Sequence, residues 1–545
     1  MQSVQKKHIL IFIPILFLIY SAPSALDYVF HYPDEKYYTD AVLQMMDNKD
    51  YFTPYSAGGS YRFLKPIVTY WLLIFSYKLF GVSVFSSRLF FWLAGAGLVS
   101  ITFFMTKSIT NNRKTAFVAG FITAANPLVL MGSARSIPDI LLVLFLTVSA
   151  WGFLELMRRE NPEKKFFWMA YLGAAIAFET KGLPAAAFTG ISFLYLLLNP
   201  WQRKTIKQII EPLSLITAII IAFGWFVIMY YQHGTEYLSS FFADQVGDRI
   251  STKSLTAVKN LFLGFASLLV FSIPWTVLAF SKPKSLKKHF SASGNKTKAT
   301  MGFIAVWVIM AILMSAAVFK FYERYMLPVI PLFSIALAVI LERTPSRFTR
   351  FFMHLFAGTV LLVLFINTLY ALFILPDKIL ITGTVAGIVI FILLKLIRFK
   401  KIADEIILAN FILLLYFSVH ILLYPLLMPN PGRQLVDNIR AEQTTGSETI
   451  YVYGNIRTAS NIRIHSHHKM NVVSMDTIYT LPDVEHHLVV FSPKEQPFLD
   501  LDDYLVSPGS EEWKRLPAER FPGLLQPAVK KIKDSGTKYY IAKPK

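Results

Sequence analysis

FFWMAYLGAAIAFETKGLPAAAFTGISFLYLLL, residues 166–198, holds two apolar runs separated by Lys181-Gly182. Each run is short for a helix crossing about 30 Å of hydrocarbon, which takes roughly 20 residues. As one broken helix the stretch crosses a membrane once; as two helices it crosses twice. The loops decide between these readings. With Lys6 and Lys7 in the cytoplasm and two crossings here, the basic loops share one side. These are Lys107/Arg113/Lys114, Arg158/Arg159/Lys164/Lys165, Arg203/Lys204/Lys207, Lys282/Lys284/Lys287/Lys288, Arg343/Arg347/Arg350 and Lys395/Arg398/Lys400/Lys401. That clustering is the bias of cytoplasmic loops. The opposite loops hold only scattered cations, namely Arg135, Lys181, Arg249, Lys253, Lys320, Arg324 and Lys378. A single crossing at 166–198 inverts every later loop, so two helices are expected.

Working outward, about thirteen apolar spans follow from the same length criterion. They lie near 8–26, 84–106, 115–131, 136–157, 166–180, 183–198, 206–231, 257–281, 300–319, 326–342, 351–375, 379–397 and 404–428. Composition agrees: 54% of the 545 residues are hydrophobic and 16% charged, against about 25% charged in a soluble chain. The net charge of +20 sits in the short loops, which argues for membrane topology and against nucleic acid as partner. Absence of Cys excludes disulfides, thiolate metal sites and a Cys nucleophile. The run Ile9–Leu26 is long for a signal peptide core, and Pro23 interrupts its small residues, so it reads as a retained first helix. The N-terminus is then inside and the C-terminus outside. Two domains result: a membrane domain, 1–428, whose first outer loop spans 27–83, and an extracytoplasmic α/β domain, 429–545, opened by the breaker cluster Pro429-Asn430-Pro431-Gly432. Its β-rich segments are Thr449–Tyr453, Leu488–Ser492 and Lys538–Ala542.

The first outer loop carries the chemistry. His31-Tyr-Pro-Asp-Glu-Lys-Tyr-Tyr places Asp34-Glu35 just past the first span, and Ala41, Val42, Met45 and Met46 then mark one side of an interfacial helix. Gly58-Gly59-Ser-Tyr-Arg-Phe-Leu-Lys65-Pro66 leads into a second, aromatic one at Ile67–Phe80. These features, with Tyr70-Trp71, Lys78-Leu-Phe-Gly-Val82 and Arg88-Leu89, resemble the aminoarabinose transferase (ArnT) and protein O-mannosyltransferase superfamily. Further similar motifs follow in order: Arg135-Ser-Ile-Pro-Asp139, Thr180-Lys181-Gly182, Ile273-Pro274-Trp275 and Arg324-Tyr-Met-Leu-Pro328. The matches cover about residues 27–340.

The resemblance implies a polytopic α-helical membrane protein of GT-C fold with an outward-facing site. It implies a polyprenyl-phosphate sugar as donor, a lipid or glycan such as lipid A as acceptor, and inversion at the anomeric carbon. The residues suit that chemistry on their own terms. A sugar on a lipid phosphate already has a good leaving group, so the site needs a carboxylate to take the acceptor proton and cations to hold the phosphate. Asp34 is the expected base, with Glu35 or Asp139 orienting acceptor or sugar. Lys65, Lys181, Arg249, Lys320 and Arg324 are the candidate phosphate ligands on the outer face. Charges at a membrane edge are costly, and their recurrence on one face is a functional sign.

Three positions depart from the aminoarabinose pattern: Tyr37 stands for an Arg, Leu64 for a Glu, and Asp244-Gln245 for a Glu-His pair. The last two remove the likeliest metal ligands, so no cofactor or tightly bound metal is expected, and all three weaken transfer of aminoarabinose itself. Blander readings compete at single positions. Asp34, Glu35 and Asp139 also suit helix N-termini, and Lys65, Lys181 and Arg324 suit anchoring to headgroups. His465, His467 and His468 lack a helical register for a metal and read as a solvated loop. At the level of the whole chain, a transporter or flippase of lipid-linked sugars and a protein O-mannosyltransferase are the alternatives. A transporter would favour repeats and midplane charges; the conspicuous charges here lie at the outer edge. The expected location is the inner membrane, multi-pass, with the site on the periplasmic face.

Overall fold

A computed structural model describes residues 2–26, 33–247, 254–281, 290–343, 347–374, 403–428, 430–443, 448–454, 456–475, 486–514 and 516–545. Among them, 8 helices are long and apolar enough to cross a membrane, or 9 with the bent pair Arg113–Ala124 and Pro127–Ser133, which meet at 61°. The expected count of about thirteen is not reached among the described residues by length alone. Some expected spans are shorter apolar helices, such as Leu183–Leu198, and 379–397 lies outside the described residues. The N-terminal half runs α1 (Gln2–Leu26), α2 (Pro33–Asp47), α3 (Val68–Phe80), α4 (Val84–Thr110), α5 (Arg113–Ala124), α6 (Pro127–Ser133), α7 (Asp139–Arg158), α8 (Lys164–Lys181) and α9 (Leu183–Leu198).

Local chemistry sets the boundaries. Ser83 and Ser86 form a reciprocal capping box that starts α4. The Asn112 side chain accepts from the Lys114 and Thr115 backbone N–H groups at the head of α5, and Asn126 followed by Pro127 starts α6. Between α8 and α9 stands Gly182 at φ 78°, a conformation open to glycine at little cost. The two runs of 166–198 are thus separate helices, as expected.

Lipid is the solvent of the outer helices. On Pro212–Phe242 the exposed residues Ile216, Ile219, Ile220, Phe223 and Val227 line one face, and on Arg347–Ile374 so do Phe348, Phe351, Leu355 and Leu362. Stripes of this size at helical spacing face hydrocarbon rather than water. The shorter α3 shows the pattern at the interface: Trp71, Phe75 and Leu79 are exposed at four-residue spacing, while Tyr70, Leu73 and Tyr77 are buried. The other expected interfacial helix differs. In α2, Ala41, Val42 and Met45 are fully buried, and the helix packs on α3 and on Ile456–His465 of the C-terminal region. Its apolar side meets protein, not lipid.

The antiparallel pair α7 and α8 brings the ends of two motifs together. Their approach depends on glycine: a Cβ on Gly152 would lie 2.3 Å from the Ala170 backbone nitrogen, and one on Gly173 would lie 2.8 Å from the Phe145 carbonyl. Small residues let helix backbones touch. Gly152→Ala should therefore cost about 1–3 kcal/mol or more through forced separation, read as a lowered unfolding midpoint of the purified protein. Gly190→Ala, with open space around its Cβ, is the control and should unfold as the wild type does.

The C-terminal region carries a five-stranded mixed sheet of order β2-β1-β3-β5-β4. The strands are β1 (Thr449–Tyr453), β2 (Asn471–Met475), β3 (His487–Phe491), β4 (Tyr504–Glu511) and β5 (Lys538–Pro544). β1 pairs parallel with β2 and β3, and β5 pairs antiparallel with β3 and β4. β1, β3 and β5 lie where their β-rich sequence predicts them. β4 escaped that reading because it contains Pro508-Gly509, at a register shift on the sheet edge. Helices Pro431–Glu442 and Ile456–His465 cover one face, with Leu435, Ile439 and Ile462 packed against Ile450, Leu488 and Ile541.

Candidate active site

Three carboxylates expected in the site go to different places. Asp34 lies in the first turn of α2, and its Oδ2 accepts from Arg324 Nη1 at 2.7 Å. It is the most open of the three, its side chain 38% exposed. Asp139 is the first residue of α7, and its Oδ1 accepts from Lys181 Nζ, at the end of α8, at 2.6 Å. The helix has no side-chain cap at that end, so Asp139 serves the lysine rather than the backbone. Asp139, Lys181 and Arg324 all line one cavity of about 230 Å³. Its remaining wall is largely apolar, with Leu142, Val143, Leu183, Phe188, Met314 and Tyr325. Asp34 does not itself line the cavity and is linked to it by the bond to Arg324.

Glu35 takes a different place. It is fully buried and turned away from that cavity. One oxygen accepts from Arg88 Nε at 2.8 Å and from the Ser136 backbone N–H at 2.9 Å; the other accepts from Arg88 Nη2 at 2.8 Å. The fork of Arg88 matches a carboxylate with two parallel bonds. Glu35 thus ties the first acidic motif to the second, since Ser136 belongs to Arg135-Ser-Ile-Pro-Asp139. Among the described residues its bonds go to Arg88 and Ser136, and it does not line the cavity.

The cations also divide. Lys181 and Arg324 line the cavity, whereas Lys320 is exposed, its ammonium 5.3 Å from the Tyr322 ring centre, and is not part of the cavity lining. Lys65 is buried and gives its Nζ to Asp244 Oδ2 at 2.6 Å, in a second cluster. Arg249 lies outside the described residues. Arg62 reads in the sequence only as part of a glycine-rich turn. It donates from Nε to Tyr70 Oη at 3.3 Å and stacks over Tyr37 and Tyr38, at 5.0 and 5.7 Å from the ring centres. Tyr37 is the position where the aminoarabinose pattern has Arg, and Arg62 supplies a guanidinium beside it. Burial, with neighbouring Tyr70, pushes the Tyr38 phenol well above its ordinary range, so it stays a neutral hydroxyl. Spacing alone offers no signal for Arg62, which reaches α2 across a turn.

A metal at the position suggested by family resemblance does not fit these residues. The Leu64 side chain has no ligand atom and its carbonyl accepts from Lys65, and the Asp244 carboxylate already holds the Lys65 ammonium, a cation in its own right. No group of three His, Asp or Glu converges among the described residues. Sugar transfer should accordingly persist in excess EDTA. Loss of turnover on chelation, restored by a divalent ion, would show that this pocket recruits a metal after all.

Residues 64–228 match the family described as dolichyl-phosphate-mannose-protein mannosyltransferase. A relative from Aquifex aeolicus, described only as an uncharacterized protein, is 25% identical over 66% of this chain and 68% of its own. An undecaprenyl phosphate-alpha-4-amino-4-deoxy-L-arabinose arabinosyl transferase from Yersinia pestis is 26% identical over 56% of this chain. The match spans about half of that relative, 54% of its length. ArnT from Cupriavidus metallidurans, solved bound to undecaprenyl phosphate, superposes with a TM-score of 0.70 at 15% identity, covering 98% of each chain. Its apo form gives 0.69. The fold is the GT-C fold of a multi-pass membrane protein with a small C-terminal sheet. Taken with the family match and the relatives, the chain is similar to the ArnT-like GT-C glycosyltransferases.

Proposed function

We propose that this chain transfers a monosaccharide from a polyprenyl-phosphate carrier to a cell-envelope acceptor, lipid A or a related glycan, at the periplasmic face of the inner membrane. The observation that carries this reading is the cavity: an apolar slot between helices whose rim holds Lys181, Arg324 and Asp139. An isoprenoid with a charged head has that same division of surface. Its chain suits the apolar wall, and its phosphate suits Lys181 and Arg324. The donor named for the Yersinia relative and the undecaprenyl phosphate bound to the Cupriavidus ArnT support the donor class.

In the reaction an acceptor hydroxyl attacks the anomeric carbon from the face opposite the phosphate. The new C–O bond forms as the bond to the phosphate oxygen breaks, and the electron pair leaves with the lipid phosphate. Arg324 and Lys181 stabilise that charge. As Arg324 turns to the phosphate, Asp34 loses its partner and is free to accept the hydroxyl proton. The sugar differs from aminoarabinose in this reading, because Tyr37, Leu64 and Asp244-Gln245 replace the residues of that pattern.

The test uses the purified full chain in vesicles, with synthetic undecaprenyl-phosphate pentoses and hexoses and with lipid A or lipid-linked glycans as acceptors. Release of undecaprenyl phosphate coupled to a glycosylated acceptor is the expected result. Movement of intact donor across the vesicle, with no product from any pair, would sink the transferase reading in favour of a transporter.

A further inference from the structure

Helix α2 carries Asp34 at one end and three more acids along its length, and each acid meets a different part of the chain. Glu35 is held by Arg88 of α4 and by Ser136. Five residues on, Asp40 is 2% exposed and accepts from Arg463 Nη1 at 2.8 Å and Ser460 Oγ at 2.6 Å, both from the C-terminal region. Arg463 also donates to the Val472 carbonyl, from Nε at 3.2 Å and Nη2 at 2.9 Å, so one guanidinium joins α2 to the edge strand β2. At the far end of α2, Asp47 lies 3.0 Å from His468 Nε2, and His467 Nδ1 lies 2.8 Å from the carbonyl of Val82, just before α4. Both histidines have left-handed backbone, φ 57° and 58°, which ends the helix Ile456–His465 and aims them at the membrane domain. The histidine cluster is therefore a docking turn.

We propose that Arg463 is a positioning residue for sugar transfer: by gripping Asp40 it sets the placement of α2, and so of the Asp34 carboxylate beside Arg324 of the cavity wall. This rests on the transferase reading above. The physical case is one of leverage. The Asp34–Arg324 and Asp47–His468 pairs are partly open, whereas Glu35 and Asp40 are buried charged anchors about 7.5 Å apart along an axis rising roughly 1.5 Å per residue, and two such anchors limit pivoting of α2 more than one. A buried ion pair adds little stability over well-packed apolar residues, and its attested use is to fix one arrangement. The C-terminal sheet is then part of the frame of the active site.

The experiment uses the full-length protein. The chain has no Cys, so Asn48→Cys, one residue past α2, takes a single spin label. Arg463→Ala should free that label and lower kcat by about 10- to 100-fold, the scale expected of a 1 Å misplacement. Donor KM should stay within about threefold of wild type, because Lys181 and Arg324 are untouched. Arg463→Lys, which keeps the charge but not the fork, should recover part of the rate. A freed label with unchanged kcat would overturn the proposal, as would a raised KM at unchanged kcat. Should Arg463→Ala fail to fold, Ser460→Ala removes one of the two bonds to Asp40 and should lower kcat in the same direction; no change there also overturns it. The two readings fail separately. Absence of transfer by the wild type strikes the function alone, and the label still decides whether Arg463 holds α2.

Discussion

Asp34→Asn should lower the turnover of sugar transfer by about 10² to 10⁴, the range that a positioned general base contributes. Asn keeps the shape of the side chain and one acceptor oxygen toward Arg324, but it cannot take a proton at neutral pH. The cost to folding should be small. The Asp34–Arg324 pair is partly open, the side chains 38% and 18% exposed, and such pairs contribute about 0–1 kcal/mol. Donor binding should hold, since Lys181 and Arg324 remain. The measurement is steady-state transfer to a hydroxyl acceptor beside a donor-binding titration. Full turnover in Asp34→Asn with loss in Asp139→Asn would move the base to Asp139. Full turnover in both would remove the carboxylate step from the mechanism.

Arg88→Ala is expected to act on a different quantity. It leaves the Glu35 carboxylate fully buried with, among the described residues, the Ser136 backbone N–H and hydroxyl as its partners, and breaking a buried pair in this way costs about 3–5 kcal/mol. The expected result is a steep fall in folded yield and in thermal midpoint. Glu35→Gln should be milder, because it keeps an acceptor for Ser136 and a neutral partner for the guanidinium. The ratio of kinetic to stability loss separates the two neighbours: Asp34 variants lose rate and keep their fold, whereas Glu35 and Arg88 variants lose fold first. An Arg88→Ala protein that unfolds like wild type but turns over slowly would place Glu35 back among the groups that act on substrate.

Adjacent residues with identical chemistry thus have opposite fates, and no reading of Asp34-Glu35 in line could separate them. Successive residues on a helix point about 100° apart, so one met Arg324 of the cavity wall and the other the core. Which faced where depended on where α4 and the turn before α7 came to lie. Lys65 and Lys181 show the same limit. Both are lysines that the loop pattern puts at the same edge, but one closes on Asp244, on the far side of a long helix, and the other on Asp139.

Much was nonetheless settled by local chemistry. Apolar run length and the alternation of basic loops establish a membrane protein, because hydrocarbon thickness and the cost of charge act on each segment separately. Gly182 divides 166–198 because a backbone conformation is a property of that residue. β1, β3 and β5 were legible from β-rich composition alone. What needed the tertiary structure was every partnership between distant residues: Asp34 with Arg324, Glu35 with Arg88, Asp40 with Arg463, and Arg62 laid over Tyr37. Those pairs are separated by dozens to hundreds of positions. Each exists because helices packed through contacts such as Gly152 against Ala170 bring their ends to one place, and packing of that kind is decided by all the neighbouring side chains together.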